Sequence, residues 1–570
     1  MADSSRRRDA GNSFEVKTIS CDDRGMPDSA RPSRRPAPPA ELGDFTTSPR
    51  VLLLSALAVV IGLASAFVAL VLLKLIAFFT NVFFFQRLSL AAASPTGHHL
   101  GPLVVLVPVA GALVIGLMAR YGSERIRGHG IPEAIEAILM NGSRVEPKLA
   151  VLKPLSSAIS IGSGGPFGAE GPIIMTGGAF GSLVAQLFHL TAAERKTLLV
   201  AGAAGGMSAT FAAPVAAVLL AVELLLFEWK PRSLVPVALA SVAAAAMRVP
   251  LLGNGPLFPV PAHPASVGTA GLLGCALAGL LAGALSALLT LAVYAAEDAF
   301  GKLPIHWMWW PAIGGVVIGL GGLVFPQALG VGYETIGALL EGDVARHLIL
   351  GILLVKSVIW AVSLGSGTSG GVLAPLLMMG GALGGVEAGF LPALGPGFWP
   401  LVSMGAILGG TMRSPLTGVV FALELTHDVN MLLPLLLAAV VAHGFTVLTL
   451  RRSILTEKVA RRGFHLSREY AVDPLEILFV REVMRPGGPG AESGADGPAS
   501  AHPDEPLRVV VYRMAETGLT DLPVVAGDGA TVGRVTLHDL LQARVRHLEE
   551  EKRRERILFP NLRLPAGRAG

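Results

Sequence analysis

Between residues 49 and 465 the chain is a succession of long apolar runs separated by short polar stretches. Residues 51–85, 101–118, 272–293 and 431–450 are each long enough to cross roughly 30 Å of hydrocarbon. A large soluble core can hide one such run, not this many. The pattern predicts an all-α, polytopic membrane body, because lipid offers no partner to backbone groups left outside a helix. The body is interrupted at 128–138, 165–175 and 369–379, where glycines precede a proline or apolar residue able to open a helix. These breaks predict re-entrant helices. On either side the pattern changes. Residues 1–48 are rich in Arg, Ser, Pro and Asp and are expected to be disordered and cytoplasmic. Residues 466–570 read as a mixed-charge soluble segment with a Gly/Pro/Ala linker at 486–503.

The membrane body repeats itself. Residues 162–181 (GSGGPFGAEGPIIMTGGAFG) and 365–384 (GSGTSGGVLAPLLMMGGALG) match at ten of twenty positions, including Gly162/Gly365, Pro172/Pro375 and Met175/Met378. A second pair, 212–224 against 413–425, aligns Pro214 with Pro415 and Glu223 with Glu424. Two matches in the same order indicate duplicated halves. Halves with Gly/Pro breaks at corresponding places point to a transporter-type fold whose site lies between them near mid-membrane. The sequence alone leaves open whether the halves are inverted or parallel.

Composition sharpens this picture. Hydrophobic residues make up 52% of the chain and charged residues only 15%, against about 25% charged in soluble domains. Glycine, 69 of 570 residues, exceeds its usual share of about 7%. A net charge of +4 gives nucleic-acid binding no support. Cys21 in the polar tail and Cys275 in an apolar run do not form a disulfide framework or a metal cluster. Arg6, Arg7 and Arg8, then Arg120, Arg125 and Arg127, then Arg451 and Arg452 fit one cytoplasmic side, with both termini inside.

The interrupted helices carry the chemistry. Glycine lets backbone approach closely, and proline suits a first helical turn, where its missing N–H costs nothing. Each helix start leaves unpaired N–H groups and about half a positive charge. In a membrane those donors need an acceptor, and an anion supplies one. Half a charge about 4 Å from a monovalent anion, at an effective dielectric near 20, is worth roughly 2 kcal/mol. Three or four converging starts can thus offset several kcal/mol of dehydration without a lysine or arginine in the site. Partial charges bind and also release. Glu170 stands alone: no other Asp, Glu, Lys or Arg occurs between Lys153 and Glu194. A carboxylate among anion-attracting amides can take the anion's own place and leave it when protonated, which makes Glu170 a candidate gate. The alternative role is a helix N-terminal cap.

These residues resemble the CLC chloride channel and chloride/proton antiporter family, whose anion-site motifs are written GSGIP, GREGP and GxFxP. Here they stand as Gly128-His129-Gly130-Ile131-Pro132, Gly168-Ala169-Glu170-Gly171-Pro172 and Gly371-Val372-Leu373-Ala374-Pro375. The resemblance covers about residues 51–463 and includes 413–418 (RSPLTG) and Ser453-Ile454-Leu455-Thr456. It implies inverted repeats, a homodimer in the cell's inner membrane with a separate pathway in each subunit, and chloride or a similar small anion as cargo. By position, Glu170 matches the gating glutamate. Val372 and Leu373 match the residues whose N–H groups face the anion, Gly128, His129, Gly130 and Ile131 its inner entrance, and Gly171 follows the gate. His129 replaces a serine, Leu455 a tyrosine, Leu373 a phenylalanine and Ala169 an arginine. Leu224 stands where antiporters carry a second glutamate, and it relays no proton. Passive conduction is therefore the expectation, with proton exchange through another route as the alternative. Glu223 and Glu424 read as helix-end residues.

Residues 480–544 resemble a CBS motif: VREVM at 480–484, then LPVVAGDGATVGRVTLHDLL at 522–541, with Asp539 at a helix start. Such motifs usually pair and sometimes bind adenine nucleotides, so a nucleotide is a possible ligand here; no other cofactor is expected. The charged run 544–556 reads as a solvated helix. A cation transporter would need more oxygen ligands around Glu170. An intramembrane enzyme lacks HExxH, a Ser/His/Asp cluster or a cysteine nucleophile. A membrane sensor acting through the soluble end is the reading left if no ion moves.

Overall fold

The computed structural model describes residues 48–463, 475, 478–486 and 500–554. Arg6, Arg7, Arg8, Cys21, the rest of the N-terminal tail and most of the linker lie outside the described residues. The chain divides into two compact units, a membrane unit and a smaller C-terminal one.

Among the described residues, seven helices are long and apolar enough to span a bilayer: Arg50–Phe85, Gly101–Tyr121, Pro231–Leu252, Thr269–Gly301, Trp307–Val324, Arg346–Gly365 and Val429–Arg461. Shorter apolar helices fill the interior, among them Glu170–Gln186, Pro214–Leu226, Leu373–Glu387, Phe398–Met412 and Pro415–Thr426. Leu52, Val60, Val71, Leu273 and Leu288 point outward, as lipid-facing positions do. Small residues let helices touch along their backbones. A methyl group at Gly177 would lie 2.3 Å from the Gly202 carbonyl oxygen, and one at Gly202 would lie 2.1 Å from that of Gly177. Alanine at either place would force Glu170–Gln186 away from Ala192–Phe211.

The repeat is inverted. Glu424, at the end of Pro415–Thr426, accepts from the Val215 and Ala216 N–H groups (2.9 and 2.8 Å) at the start of Pro214–Leu226. Glu223, at the end of Pro214–Leu226, accepts from the Thr417 N–H at 2.9 Å and its hydroxyl at 2.5 Å. Each helix thus caps the beginning of its mate, so equivalent helices run antiparallel. Both glutamates are the helix-end residues expected from sequence. Ala212 and Arg413 enter these helices with the same left-handed backbone (φ 55° and 57°). The first mate differs by a π-turn, Ala221–Leu226, which takes up one extra residue before the left-handed Phe227 that matches His427.

The C-terminal unit has a three-stranded antiparallel sheet of Arg485–Pro486, Asp521–Val525 and Thr531–Thr536, with the last strand central. Val480, Leu507, Val510, Leu522, Val524, Val535 and Leu540 form its core beneath helices Leu507–Thr517 and Leu537–Arg554. Asp539 sits at the helix start as the sequence suggests. It accepts from the Thr536 N–H and hydroxyl while its own N–H donates back to the Thr536 hydroxyl, and Arg485 binds its other oxygen. Cys275, in the membrane unit, is buried and free.

Candidate functional site

Three interrupted segments meet. The Gly168 N–H donates to the Gly371 carbonyl at 3.1 Å and the Gly371 N–H to the Gly168 carbonyl at 2.9 Å. These are repeat mates, paired antiparallel across the local two-fold axis. The Gly128 N–H donates to the Thr368 carbonyl (3.2 Å), and the Gly370 N–H to the Gly128 carbonyl (3.4 Å). Helices Ile131–Met140, Glu170–Gln186 and Leu373–Glu387 therefore begin around one small volume. Glycine is required where the segments cross. A methyl group at Gly171 would sit 1.7 Å from the His129 carbonyl oxygen, and the Gly371 Cα is 3.2 Å from that point.

Glu170 is fully buried. Its Oε1 accepts from the Ala374 N–H at 3.0 Å, and its Oε2 has no hydrogen-bond partner. A methyl group at Gly168 would lie 1.8 Å from Oε2, and one at Gly371 would lie 2.7 Å from it. The carboxylate thus fills a cleft walled by two glycines and faces the first turn of the opposing half-helix. Its donor is Ala374, in the first turn of that helix, rather than Val372 or Leu373. Ala374 is the repeat mate of Gly171, the one signal in the sequence that could have found it.

His129 is 3% exposed, and its Nδ1 has no hydrogen-bond partner. On the same side Glu133 closes the first turn of Ile131–Met140: its Oε2 accepts from the Gly130 N–H at 2.8 Å. Its Oε1 makes no hydrogen bond and lies 3.7 Å from Arg462. Leu455 is buried on helix Ile454–Arg461, which packs against Ile131–Met140; it brings no polar atom. Leu224 is also fully buried.

Sequence reasoning missed two lysines. Lys153 and Lys356 are both fully buried, and each interacts electrostatically with site groups: Lys153 with His129 and Glu133, Lys356 with Glu170. The site therefore has two amino groups beside its backbone donors. Their separation, the same 203 positions as the repeat, was legible in the chain. Beyond Glu133 opens a cavity of about 1020 Å³ lined by Arg125, Arg127, Lys458, Arg461 and Arg462, with Glu136, Glu297 and Asp298 among them. Among the described residues no three His, Cys, Asp or Glu gather as metal ligands.

This arrangement can hold a dehydrated monovalent anion by N–H groups, or hold the Glu170 carboxylate in its stead. A cation would meet donors of the wrong polarity. Comparison with known proteins agrees. The family model described as voltage gated chloride channel matches residues 110–447, and the CBS domain model matches residues 480–546. A protein of Ralstonia nicotianae described as "Putative chloride channel protein ClcB-like" is 29% identical over 367 residues, covering 63% of this chain and 85% of the relative. A Klebsiella pneumoniae "H(+)/Cl(-) exchange transporter ClcA" is 30% identical over 380 residues, covering 64% and 80%. Among solved structures, a slow cyanobacterial Cl-/H+ antiporter superposes with a TM-score of 0.64 at 21% identity, covering 73% of this chain and 98% of that one. A CLC-type fluoride/proton antiporter superposes with a TM-score of 0.60 at 20% identity, covering 70% and 97%.

Proposed function

Because this chain belongs to the voltage gated chloride channel family, whose members are channels and exchangers rather than enzymes, we propose that it carries chloride or a similar small anion across the membrane, with Glu170 as the gate. The observation behind this is the Glu170 carboxylate itself. It lies buried between Gly168 and Gly371, bonded to a helix-start N–H, where an anion would otherwise lie. When protonated, it loses its attraction to the amides and leaves, and the anion enters. Gly128, His129, Gly130 and Ile131 form the inner approach. Gly171, Val372 and Leu373 line the centre beside Ala374. Leu455 narrows the path without a hydroxyl. Arg125 and Arg127 share a cavity with Arg461 and Arg462, which supports placing those loops on one, cytoplasmic, side. A homodimer with one path per subunit is the assembly that membership of this family supports.

Passive conduction is the leading mode, since Leu224 is buried and has no proton to give. Proton exchange is the second reading. It is favoured by Glu133 and His129, two buried titratable groups each with a polar atom that makes no hydrogen bond, and by relatives described as exchangers. The test is anion efflux from proteoliposomes under a proton gradient, with the internal pH recorded. Chloride-driven uphill proton movement would establish exchange. Liposomes that release no chloride, bromide, nitrate or fluoride would leave the sensor reading in place of transport.

A further inference from the structure

A fourth half-helix faces the site from the other half of the repeat. Tyr333–Glu341 is the mate of Ile131–Met140: Gly332, with φ of 78°, precedes it as Gly130, with φ of 90°, precedes the other. Its first residue is Tyr333. The ring packs edge-on against Phe258 at 6.0 Å and lines a cavity of about 380 Å³ with Leu257, Pro259 and Glu334. The hydroxyl points the other way, into the protein, where it is buried without a hydrogen-bond partner. A buried phenol normally finds one.

Packing leads from that hydroxyl's helix to the gate. A methyl group at Gly332 would lie 1.8 Å from Met378 Cε. Met378 is four residues beyond Ala374, on the same face of Leu373–Glu387. The Ala374 N–H holds Glu170 Oε1. Tyr333 lies within electrostatic reach of Glu170. Two buried atoms without a hydrogen-bond partner, the donor Tyr333 hydroxyl and the acceptor Glu170 Oε2, therefore belong to residues whose segments both meet helix Leu373–Glu387. Leu455 supplies no hydroxyl from elsewhere.

We propose that Tyr333 is the positioning residue for the opened gate: when Glu170 leaves the cleft between Gly168 and Gly371, its carboxyl accepts a hydrogen bond from the Tyr333 hydroxyl. This rests on Glu170 being the gate. The charged groups around the pair are Lys356 on the Glu170 side, Glu334 and Glu341 on the tyrosine's own helix, and Glu387 at the far end of Leu373–Glu387. None of them duplicates the hydroxyl. A donor waiting outside the cleft stabilises the open gate, so less proton is needed to open it.

The test is Tyr333→Phe, which keeps the ring on Phe258 and deletes one oxygen. Anion flux is read as a function of external pH, alone and in a Glu170→Gln background. The open population should fall about fivefold at a fixed pH, moving half-activation acidward by about 0.7 unit. In the Glu170→Gln background the same change should alter flux less than twofold. An unchanged pH profile overturns the proposal. So does an equal change in both backgrounds, or loss of flux at every pH, because an aid to opening cannot abolish acid-driven opening. If Glu170→Gln alone leaves the pH profile intact, the gate reading itself fails, and that outcome is distinct from the others.

Discussion

Lys153 and Lys356, 203 positions apart, make the same pair of hydrogen bonds in the two halves of the protein. Lys153 Nζ donates to the carbonyls of Ile126 and Gly128, at 2.8 Å each. Lys356 Nζ donates to those of Ala328 and Gly330, at 2.9 and 2.8 Å. Each lysine ties a spanning-length or half-spanning helix to the glycine loop that opens a half-helix. Each also places an amino group near the groups of the candidate site: Lys153 near His129 and Glu133, Lys356 near Glu170.

Replacing either lysine with methionine should therefore do two things. It strips the donor from two carbonyls, at about 1–3 kcal/mol per buried group left unpaired, partly offset because a buried charge is also removed. It also weakens anion binding. Thermal unfolding in detergent and chloride titration check the two effects separately. A variant with unchanged stability and unchanged affinity would show that neither lysine has the role assigned here.

Glu170→Gln keeps the size of the side chain and removes its charge. We expect flux that no longer rises on acidification, because the amide cannot compete for anion-attracting N–H groups as a carboxylate does. If exchange occurs, coupling should be lost with it. Flux measured across external pH decides this, and a wild-type profile would remove the gate.

The two glycines that flank Ala169 and Glu170 should fail differently. At Gly168 an added methyl group meets Glu170 Oε2 at 1.8 Å, the end of a side chain that can turn away. Gly168→Ala should expel the carboxylate and give flux with the weak pH dependence of Glu170→Gln. At Gly171 the methyl group meets the His129 backbone at 1.7 Å, which has nowhere to go. Gly171→Ala should lower the yield of folded protein. Size-exclusion profiles and flux distinguish the two, and matching phenotypes would contradict the geometry.

The reciprocal caps predict a stability effect without a transport effect. Glu223→Ala and Glu424→Ala each remove an acceptor from a helix start, at about 1 kcal/mol per cap. The double variant should lose roughly the sum, with anion flux per folded protein retained. Thermal unfolding gives the first quantity and proteoliposome efflux the second. A strong flux defect in either single variant would mean that these carboxylates act on the ion.

The sequence reached the inverted architecture indirectly. Pro214/Pro415 and Glu223/Glu424 marked the repeat, but only the hydrogen bonds from Val215, Ala216 and Thr417 fix the direction of the mates. The π-turn at Ala221–Leu226 was invisible because one extra residue in a helix leaves its apolar pattern unchanged. The site was legible in its motifs and not in its donors. Ala374 has no polar side chain, so nothing in its letter announces that its N–H holds Glu170. Lys356 was readable by its offset but sits among apolar neighbours, where a lone lysine is easily taken for a helix-end charge.

What the chain determined by itself was a membrane body of duplicated, glycine-broken helices with one isolated carboxylate. Hydrophobic length, glycine tolerance and the scarcity of charge are properties of local sequence. Which backbone amide that carboxylate meets, and which lysine and tyrosine stand near it, was decided only in three dimensions. Those partners come from segments some 160 to 200 residues away, and no local preference encodes a contact between them. They meet because antiparallel halves pack backbone against backbone at Gly168 and Gly371, and the close packing of the interior then allows each side chain one place.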